Sequence, residues 1–231
     1  MKKSILEQLN EARASRRGAV TVASEEEGVR QLLLEGEMPD DALGQAASKV
    51  LRAGKAGTAD VDGEALFLNA YVPPVRFVVI GAVHISQALA PMARAAGYDL
   101  EIIDPRGAFA TPDRFPDVTL HADWPQDVLS SRPLDAYTAL AAITHDPKID
   151  DPALIAALEA NCFYIGALGS RKTHGRRIER LTDAGFGQAA IGRIDAPIGL
   201  DIGAANPQEI AVAVLAQMIA AFRKRGMESL V

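Results

Sequence analysis

Cysteine is almost absent from this sequence, since Cys162 is the only one in 231 residues. A single thiol excludes a disulfide framework within the chain and any all-cysteine metal site contained in one chain. Long apolar runs are missing as well, because no stretch approaches the roughly 20 residues that a membrane-spanning helix needs. The first residues meet charge too early for a signal peptide. We therefore expect a cytoplasmic protein that makes no use of a membrane.

Positive charge is scarce relative to negative charge, with 24 lysines and arginines against 30 aspartates and glutamates and a net charge of −6. Domains that neutralise nucleic-acid phosphates usually carry a basic excess, so nucleic acid is not an expected partner. Any anion site must then be a local basic patch. The sequence has no Ser-His-Asp arrangement, Walker loop or HExxH motif, and we assign no catalytic residue.

Apolar residues make up 48% of the sequence. This content is enough to form the core of one large domain or two modest ones. Residues 1–73 predict a small α+β domain, with helices at 4–14 and 41–53, a strand at 19–23 and a hairpin that turns at Asp62-Gly63. Pro73-Pro74 end this region, because proline cannot donate to a sheet ladder and the pair favours an extended linker.

Residues 74–231 predict a Rossmann-like domain, so the fold class is α/β. Short apolar strands alternate there with amphipathic helices, which is typical of a parallel sheet covered on both faces. The predicted strands are 77–80, 100–103, 118–120, 138–143 and 163–168, and the predicted helices are 85–96, 125–131, 150–161 and 171–184. A last helix is predicted from an Asn206 cap to the basic residues before Gly226, with Ile210, Val214, Met218 and Phe222 as its core stripe.

The turn after the first predicted strand of this domain contains Gly81, His84 and Ser86, and Asp104 ends the next strand. This is the context of a dinucleotide-binding unit, in which glycines admit a pyrophosphate and an acidic residue holds the ribose. Of the three glycine positions of the motif, only the first is occupied by glycine here. Val83 occupies the second position, where its branched side chain would hinder close approach of the phosphates. A nucleotide-like ligand and a tight turn without one therefore both stay open.

Two further histidine and aspartate positions lie at predicted strand ends. His145 and Asp146 follow the fourth strand and face the same crevice as His84 if the sheet is parallel. A metal site or an acid–base pair is conceivable with these residue types, but ligand contact without chemistry is the favoured interpretation, and no metal is predicted. Asp104 and Arg106 form either a ligand-binding pair or an ion pair that fixes the loop.

The strongest electrostatic feature is a basic helix start after a glycine turn. Between residues 163 and 194 there are six basic side chains and two acidic ones. Gly169, Ser170, Arg171 and Lys172 combine a turn, a helix cap and two cations, so we expect them to face a phosphate. Three arginines lie further along the predicted helix: Arg176, Arg177 and Arg180. For these residues the sequence allows either contact with a ligand or a solvated helix face. We expect Arg180 to face solvent.

A glycine-punctuated loop precedes the last helix and contains Gly199 and Asp201. Backbone N–H groups there can also face an anion. Cys162 lies next to an apolar strand, so we expect a buried, unreactive thiol rather than a nucleophile.

Several of these segments resemble the XdhC/CoxI family in sequence and order, over about residues 74 to 222. They are Gly81-Ala82-x-His84-Ile85-Ser86, Asp104-Pro105-Arg106, Thr144-His145-Asp146, Tyr164 to Arg171, and Pro197 to Gly203 with Pro207-x-Glu209-Ile210-Ala211. Members are accessory proteins of molybdenum hydroxylases such as xanthine dehydrogenase and carbon monoxide dehydrogenase. The resemblance implies a Rossmann-like domain that transiently binds the molybdenum cofactor, as molybdopterin or its dinucleotide. It also implies a role during sulfuration by a cysteine desulfurase and insertion into the hydroxylase apoenzyme.

Two departures from the family pattern limit what the resemblance transfers. The first 70 residues match neither the family's Gly-Gly-Cys-x-Glu motif nor its Gly-Ser-x-Pro-Arg-like segment, so no role of that cysteine is carried over. Val83 replaces a glycine of the family's Gly-Ala-Gly-His turn. The alternative functions are an NAD(P)-dependent oxidoreductase and a protein-interaction module that binds no ligand. A homodimer is expected because it is common in such folds.

Overall fold

The computed structural model describes residues 2–225 and contains two compact units that meet in the chain between Pro74 and Val75. The predicted α/β fold class is confirmed, because one unit holds an antiparallel sheet and the other a parallel sheet. The predicted domain limits of 1–73 and 74–231 stay a prediction, and Gly226 lies outside the described residues. Within residues 2–225, none of the helices has the length and apolarity needed to cross a bilayer.

The first unit is a four-stranded antiparallel sheet with two helices. Its elements are α1 (Lys3–Ala14), β1 (Ala19–Ser24), β2 (Gly28–Leu34), α2 (Ala42–Ala53), β3 (Gly57–Val61) and β4 (Glu64–Tyr71), with strand order β2-β1-β4-β3. Asp62 and Gly63 both adopt positive φ, which is the conformation that a tight two-residue hairpin needs. Asp41 caps α2 by accepting from the N–H of Gly44 at 2.8 Å.

The second unit is a six-stranded parallel sheet with helices on both faces. Its elements are β5 (Arg76–Ile80), α3 (His84–Ala95), β6 (Asp99–Ile103), β7 (Thr119–His121), α4 (Pro125–Ser131), β8 (Thr138–Ala142), α5 (Pro147–Glu159), β9 (Tyr164–Ala167), α6 (Arg171–Asp183), α7 (Gln188–Ile191), β10 (Ile194–Asp195) and α8 (Pro207–Lys224). Neighbouring strands pair in the order β10-β9-β8-β5-β6-β7.

This strand order fixes where a ligand site can form. The chain moves outward from β5 through β6 to β7, and then returns to place β8 on the other side of β5. The loops that follow β5 and β8 therefore leave the sheet in opposite directions and open a crevice between them. Open α/β sheets bind ligands at this switch point, outside the carboxyl ends of the strands.

Alternate residues of each strand enter the cores on the two faces of the sheet. Phe77 and Val79 pack with α3 and α8, whereas Val78 and Ile80 pack with α4 and α5. In α8, Val214 and Met218 are buried as predicted, Ile210 packs against the same core, and the ring of Phe222 lies 5.2 Å from that of Phe163. The four central strands β5, β6, β8 and β9 are therefore buried on both faces, which leaves strand ends and loops for function.

Candidate functional site

The turn between β5 and α3 is shaped by a glycine and closed by its own side chains. Gly81 has φ of 126°, and a Cβ at this position would lie 3.0 Å from Cγ2 of Thr144, so only glycine fits. The N–H of Ala82 donates to Oδ2 of Asp104 at 2.7 Å, and the N–H of Val83 donates to Oγ of Ser86 at 2.8 Å. Two N–H groups that a pyrophosphate would use in a dinucleotide-binding turn are therefore bonded within the protein.

Ser86 and Asp104 are fully buried beneath this turn. The Ser86 hydroxyl lies 2.7 Å from the carbonyl oxygen of Gly81 and 2.8 Å from that of Val83, so it holds the turn from below. The sequence predicts both residues as cofactor contacts. The structure places them as supports of the loop, while His84, at the first position of α3, is exposed.

Asp104 and Arg106 form an ion pair, which is one of the two interpretations that the sequence allows for this segment. The guanidinium donates from Nε to Oδ1 at 2.9 Å and from Nη2 to Oδ2 at 2.7 Å. Burial raises the pKa of Asp104, but Arg106 and the N–H groups of Ala82 and Arg106 outweigh it, so this pKa lies below its usual range. Cζ of Arg106 also lies 4.9 Å from the centroid of the Phe109 ring, which is a cation–π contact. Its contact with a ligand stays a prediction.

The loop between β8 and α5 is held by a buried carboxylate. Asp150 is 1% exposed, and it accepts from the Thr144 hydroxyl at 2.7 Å and from the N–H of His145 at 3.2 Å. Burial is the main cause that raises the pKa of Asp150. These bonds hold His145 at φ of 67° with its side chain exposed. Asp146 caps α5 by accepting from the N–H of Lys148 at 2.9 Å, which is why α5 begins before the predicted residue 150.

His84 and His145 thus lie at least partly exposed on the two loops that flank the crevice. The part of the chain that the structure describes contains no group of three or more His, Cys, Asp or Glu side chains arranged to hold a metal ion. The arrangement can supply ring N–H donors and acceptors to a polar ligand.

The start of α6 forms the third loop at this edge of the sheet. Gly169 has φ of 139°, and Oγ of Ser170 caps the helix by accepting from the N–H of Thr173 at 3.3 Å. The side chains of Arg171 and Lys172 are not buried, and no described residue forms an ion pair or hydrogen bond with them. The predicted helix cap and its two free cations are therefore present in the structure.

Two arginines further along α6 differ from a solvated basic face. Arg177 is 2% exposed, and its Nη2 donates to the carbonyl oxygen of Leu168 at 3.0 Å. Arg180 binds both carboxylate oxygens of Asp151, with Nη2 donating to Oδ1 at 3.0 Å. Arg180 is expected to face solvent, and its side chain is 37% exposed, but α5 also presents Asp151 to it as an ionic partner.

The loop before α8 is tied to that helix by Gln217. Oε1 of Gln217 accepts from the N–H of Gly199 at 2.7 Å and from the Tyr164 hydroxyl at 2.8 Å. The N–H of Gly199, predicted to face an anion, is therefore bonded inside the protein. Asp201 is exposed between Leu200 and Ile202, which are themselves 43% and 53% exposed. This loop presents apolar side chains around one exposed carboxylate.

Sequence reasoning gave no role to Thr144, missed Asp150 and left Arg177 undecided. Arg177 precedes the buried Leu181 by four residues, so helical spacing already put it on the inward face of α6. No sequence pattern indicates that Asp150 is a supporting residue, because its hydrogen-bond partners are the Thr144 and His145 groups of an irregular loop. The predicted burial of Cys162 is confirmed, and burial raises the pKa of its thiol to about 12.

Comparison with known families matches the model of the XdhC Rossmann domain to residues 77–218 of this chain. The chain belongs to the XdhC family. The matched segment begins in β5 and ends in α8, so it covers the parallel-sheet unit that carries all four loops described above. The predicted family is confirmed.

Relatives of this family member include curated proteins of two bacteria. It is 34% identical over 146 residues to the molybdenum cofactor insertion chaperone PaoD of Escherichia coli, a match that covers 63% of this chain and 40% of PaoD. It is 32% identical over 155 residues to a Bacillus subtilis protein named as a probable subunit of xanthine dehydrogenase, a match that covers 67% of this chain and 45% of that protein. The chain thus spans less than half the length of either relative.

A solved structure described as a xanthine dehydrogenase from Bacillus halodurans shares the fold. It superposes with a TM-score of 0.63 at 22% identity, and the match covers 95% of this chain and 64% of the other. At this identity the similarity concerns the fold alone.

Proposed function

We propose that this chain is a cytoplasmic carrier that binds the molybdenum cofactor at the edge of the parallel sheet and delivers it to a molybdenum hydroxylase. The observation that carries the proposal is the family match over most of the parallel-sheet unit, together with 34% identity to a protein named as a molybdenum cofactor insertion chaperone. The cofactor is cargo in this proposal, held as molybdopterin or its dinucleotide.

The chemistry of the crevice supports a carrier more than an enzyme. The accessible groups at the sheet edge include two histidines and the cations at the start of α6, which bind polar and anionic ligands. Asp104, the residue that would hold a nucleotide ribose, has both oxygens engaged by Arg106 and the backbone. An NAD(P)-dependent oxidoreductase would need this carboxylate free, so the geometry favours the carrier.

Sulfuration of the bound cofactor would take its sulfur from a partner. Cys162 is buried, and burial raises the pKa of its thiol to about 12, so the thiolate is scarce at neutral pH. A cysteine desulfurase is the class of enzyme that supplies such sulfur, and the hydroxylase apoenzyme would receive the product. We include a homodimer in the proposal, since two-fold dimers are the commonest soluble oligomers, and analytical ultracentrifugation tests it.

Anaerobic titration distinguishes the proposed function from its competitors. Purified molybdopterin cofactor should bind saturably, and the loaded protein should activate a hydroxylase apoenzyme, while NAD(P)H should be neither bound tightly nor oxidised. Hydride transfer from NAD(P)H would favour the oxidoreductase. Failure to bind either ligand would contradict the carrier and would leave a protein-interaction module.

A further inference from the structure

The usual phosphate position of a Rossmann-type unit is already occupied by the protein itself. The N–H groups of Ala82 and Val83 donate to Asp104 and Ser86 at 2.7 and 2.8 Å. Val83 also brings a branched side chain to the position where close backbone approach is needed. A phosphate bound there would have to displace buried hydrogen bonds, each of which is costly to leave unmade.

At the start of α6, by contrast, the first two backbone N–H groups are not bonded to any residue that the structure describes. The first-turn N–H groups of Arg171 and Lys172 have no carbonyl partner within the helix, as in any α-helix, and no described residue bonds them from outside. Their side chains are accessible and unpaired among residues 2–225. Because the helix runs for 13 residues, its dipole adds positive potential at this end.

A buried cation gives independent evidence for an anion at this position. Arg177 is 2% exposed, and its Nε and Nη1 have no hydrogen-bond partner among the described residues. Its Nη2 donates to Leu168, two residues before the Ser170 cap, so the guanidinium is directed back toward the start of the helix. Nδ1 of His174, one turn earlier on the same helix face, is also buried without a partner in the described part of the chain.

Unpaired buried donors are rare, because a donor that loses its water and gains no hydrogen bond destabilises the folded state. Burial lowers the pKa of Arg177, while the nearby carboxylates of Asp150 and Asp151 act in the opposite direction. Neither carboxylate lies within ion-pair distance of Arg177, so both act on its charge only from further away. Among residues 2–225, Nε and Nη1 of Arg177 are therefore left without a hydrogen bond or a contact ion pair.

We propose that the start of α6 is a phosphate subsite, in which the N–H groups of Arg171 and Lys172 and the Arg171 side chain contact a phosphate or pyrophosphate group. Arg177 is a positioning residue in this subsite. Its charge stabilises the bound anion and the Leu168–Ser170 turn without itself reaching solvent. The assignment of the phosphate to a pterin cofactor rests on the proposed function, but the subsite is defined by phosphate chemistry alone.

The direct test is a titration of the whole ¹⁵N-labelled chain with inorganic phosphate and with pyrophosphate, followed by amide NMR. Saturable shifts are expected at Gly169, Ser170, Arg171 and Lys172, with little change at Ala82 and Val83. Pyrophosphate should bind more tightly than phosphate, because it carries the larger negative charge. Shifts centred on Ala82 and Val83, or no saturable shift at all, would overturn the proposal.

Matched arginine variants separate the subsite from general charge effects. Arg171→Ala should weaken pyrophosphate binding by about ten- to a hundredfold, because charge-assisted hydrogen bonds shielded from water are strong. Arg180→Ala removes the same charge from the same helix, but its guanidinium is committed to Asp151. This control should lower the melting temperature and leave the affinity within about twofold. Equal losses of affinity for both variants would refute the subsite.

The role of Arg177 is tested by charge and by rescue. Arg177→Met keeps much of the volume and removes the charge, so affinity should fall by about tenfold, whereas Arg177→Lys should restore most of it. A purely structural residue would lower the melting temperature in both variants without changing the affinity of the folded fraction. If Arg177→Met does not fold, Arg171→Ala and the amide shifts still decide the question.

The outcomes also separate this subsite from the proposed function. Pyrophosphate binding at α6 without any binding of molybdopterin would contradict the carrier and keep the subsite. Molybdopterin binding that leaves the amides of residues 169–172 unshifted would keep the carrier and refute the subsite.

Discussion

Replacing Arg106 by alanine tests whether a buried ion pair holds the β5–α3 turn. The substitution leaves the fully buried Asp104 with only the N–H groups of Ala82 and residue 106, at 2.7 and 2.9 Å. Breaking a buried pair costs roughly 3–5 kcal/mol, but Arg106 is 33% exposed, so water replaces part of its contribution. We expect a loss of about 2–3 kcal/mol in the free energy of unfolding.

The loss should depend on pH in a defined direction. The pKa of Asp104 is lowered in the folded protein relative to its ordinary value of 3.8, so its stabilising effect is present above that value and disappears as the pH falls through the folded pKa. Wild type and Arg106→Ala should therefore differ most at neutral pH and converge in acid. Trp124, the single tryptophan, lies in the same unit and reports urea unfolding by fluorescence.

A second arginine gives the matched control. Arg94 pairs with Asp117 at 3.1 Å, but the two side chains are 68% and 72% exposed. Exposed pairs contribute little, so Arg94→Ala should cost less than about 1 kcal/mol at any pH. If Arg106→Ala and Arg94→Ala lower the free energy of unfolding equally and at every pH, the Asp104–Arg106 ion pair does not stabilise the turn.

Three further changes test other parts of the site. Cys162→Ala should leave sulfuration in a coupled maturation assay largely intact, and complete loss by a folded variant would contradict an external sulfur source. Gly81→Ala should cost at least about 1–3 kcal/mol, measured by thermal melts, because a Cβ would meet Thr144 at 3.0 Å and φ is 126°. The raised pKa of Asp150 makes its contribution to stability fall as pH rises through that pKa. Asp150→Asn should remove this pH dependence, and an unchanged profile would assign it to another group.

The sequence predicted most of the parallel-sheet unit because its strands are short apolar runs buried on both faces. It missed β2, an edge strand whose residues are mostly half-exposed and carry no clean alternation, and β10, which has only two residues. These elements are fixed by their pairing partners rather than by a local pattern.

The sequence predicted which loops lie at the edge of the sheet, but not the direction of every side chain on them. The spacing of Gly81, Ser86 and Asp104 correctly located the loop at the sheet edge. For Ser86 a signal was present, since helical spacing with Leu89 and Ala93 puts it on the buried face of α3. The sequence could not show that Asp104 points inward, because the direction of a loop side chain depends on backbone dihedrals that no periodicity encodes. The partner of Arg180 was missed for a related reason, since Asp151 lies on another helix.

Four side chains beneath the loops order the edge of the sheet before any ligand binds. Ser86, Asp104, Asp150 and Gln217 each fix a loop by hydrogen bonds within the protein. Loops that are ordered before binding lose little conformational entropy when a ligand binds, and they regain little when it leaves. Loading and release then need no folding step, so the residence time of a ligand depends on the few contacts at its own charged groups. A protein that hands its cargo on can adjust that time by changing a single exposed cation.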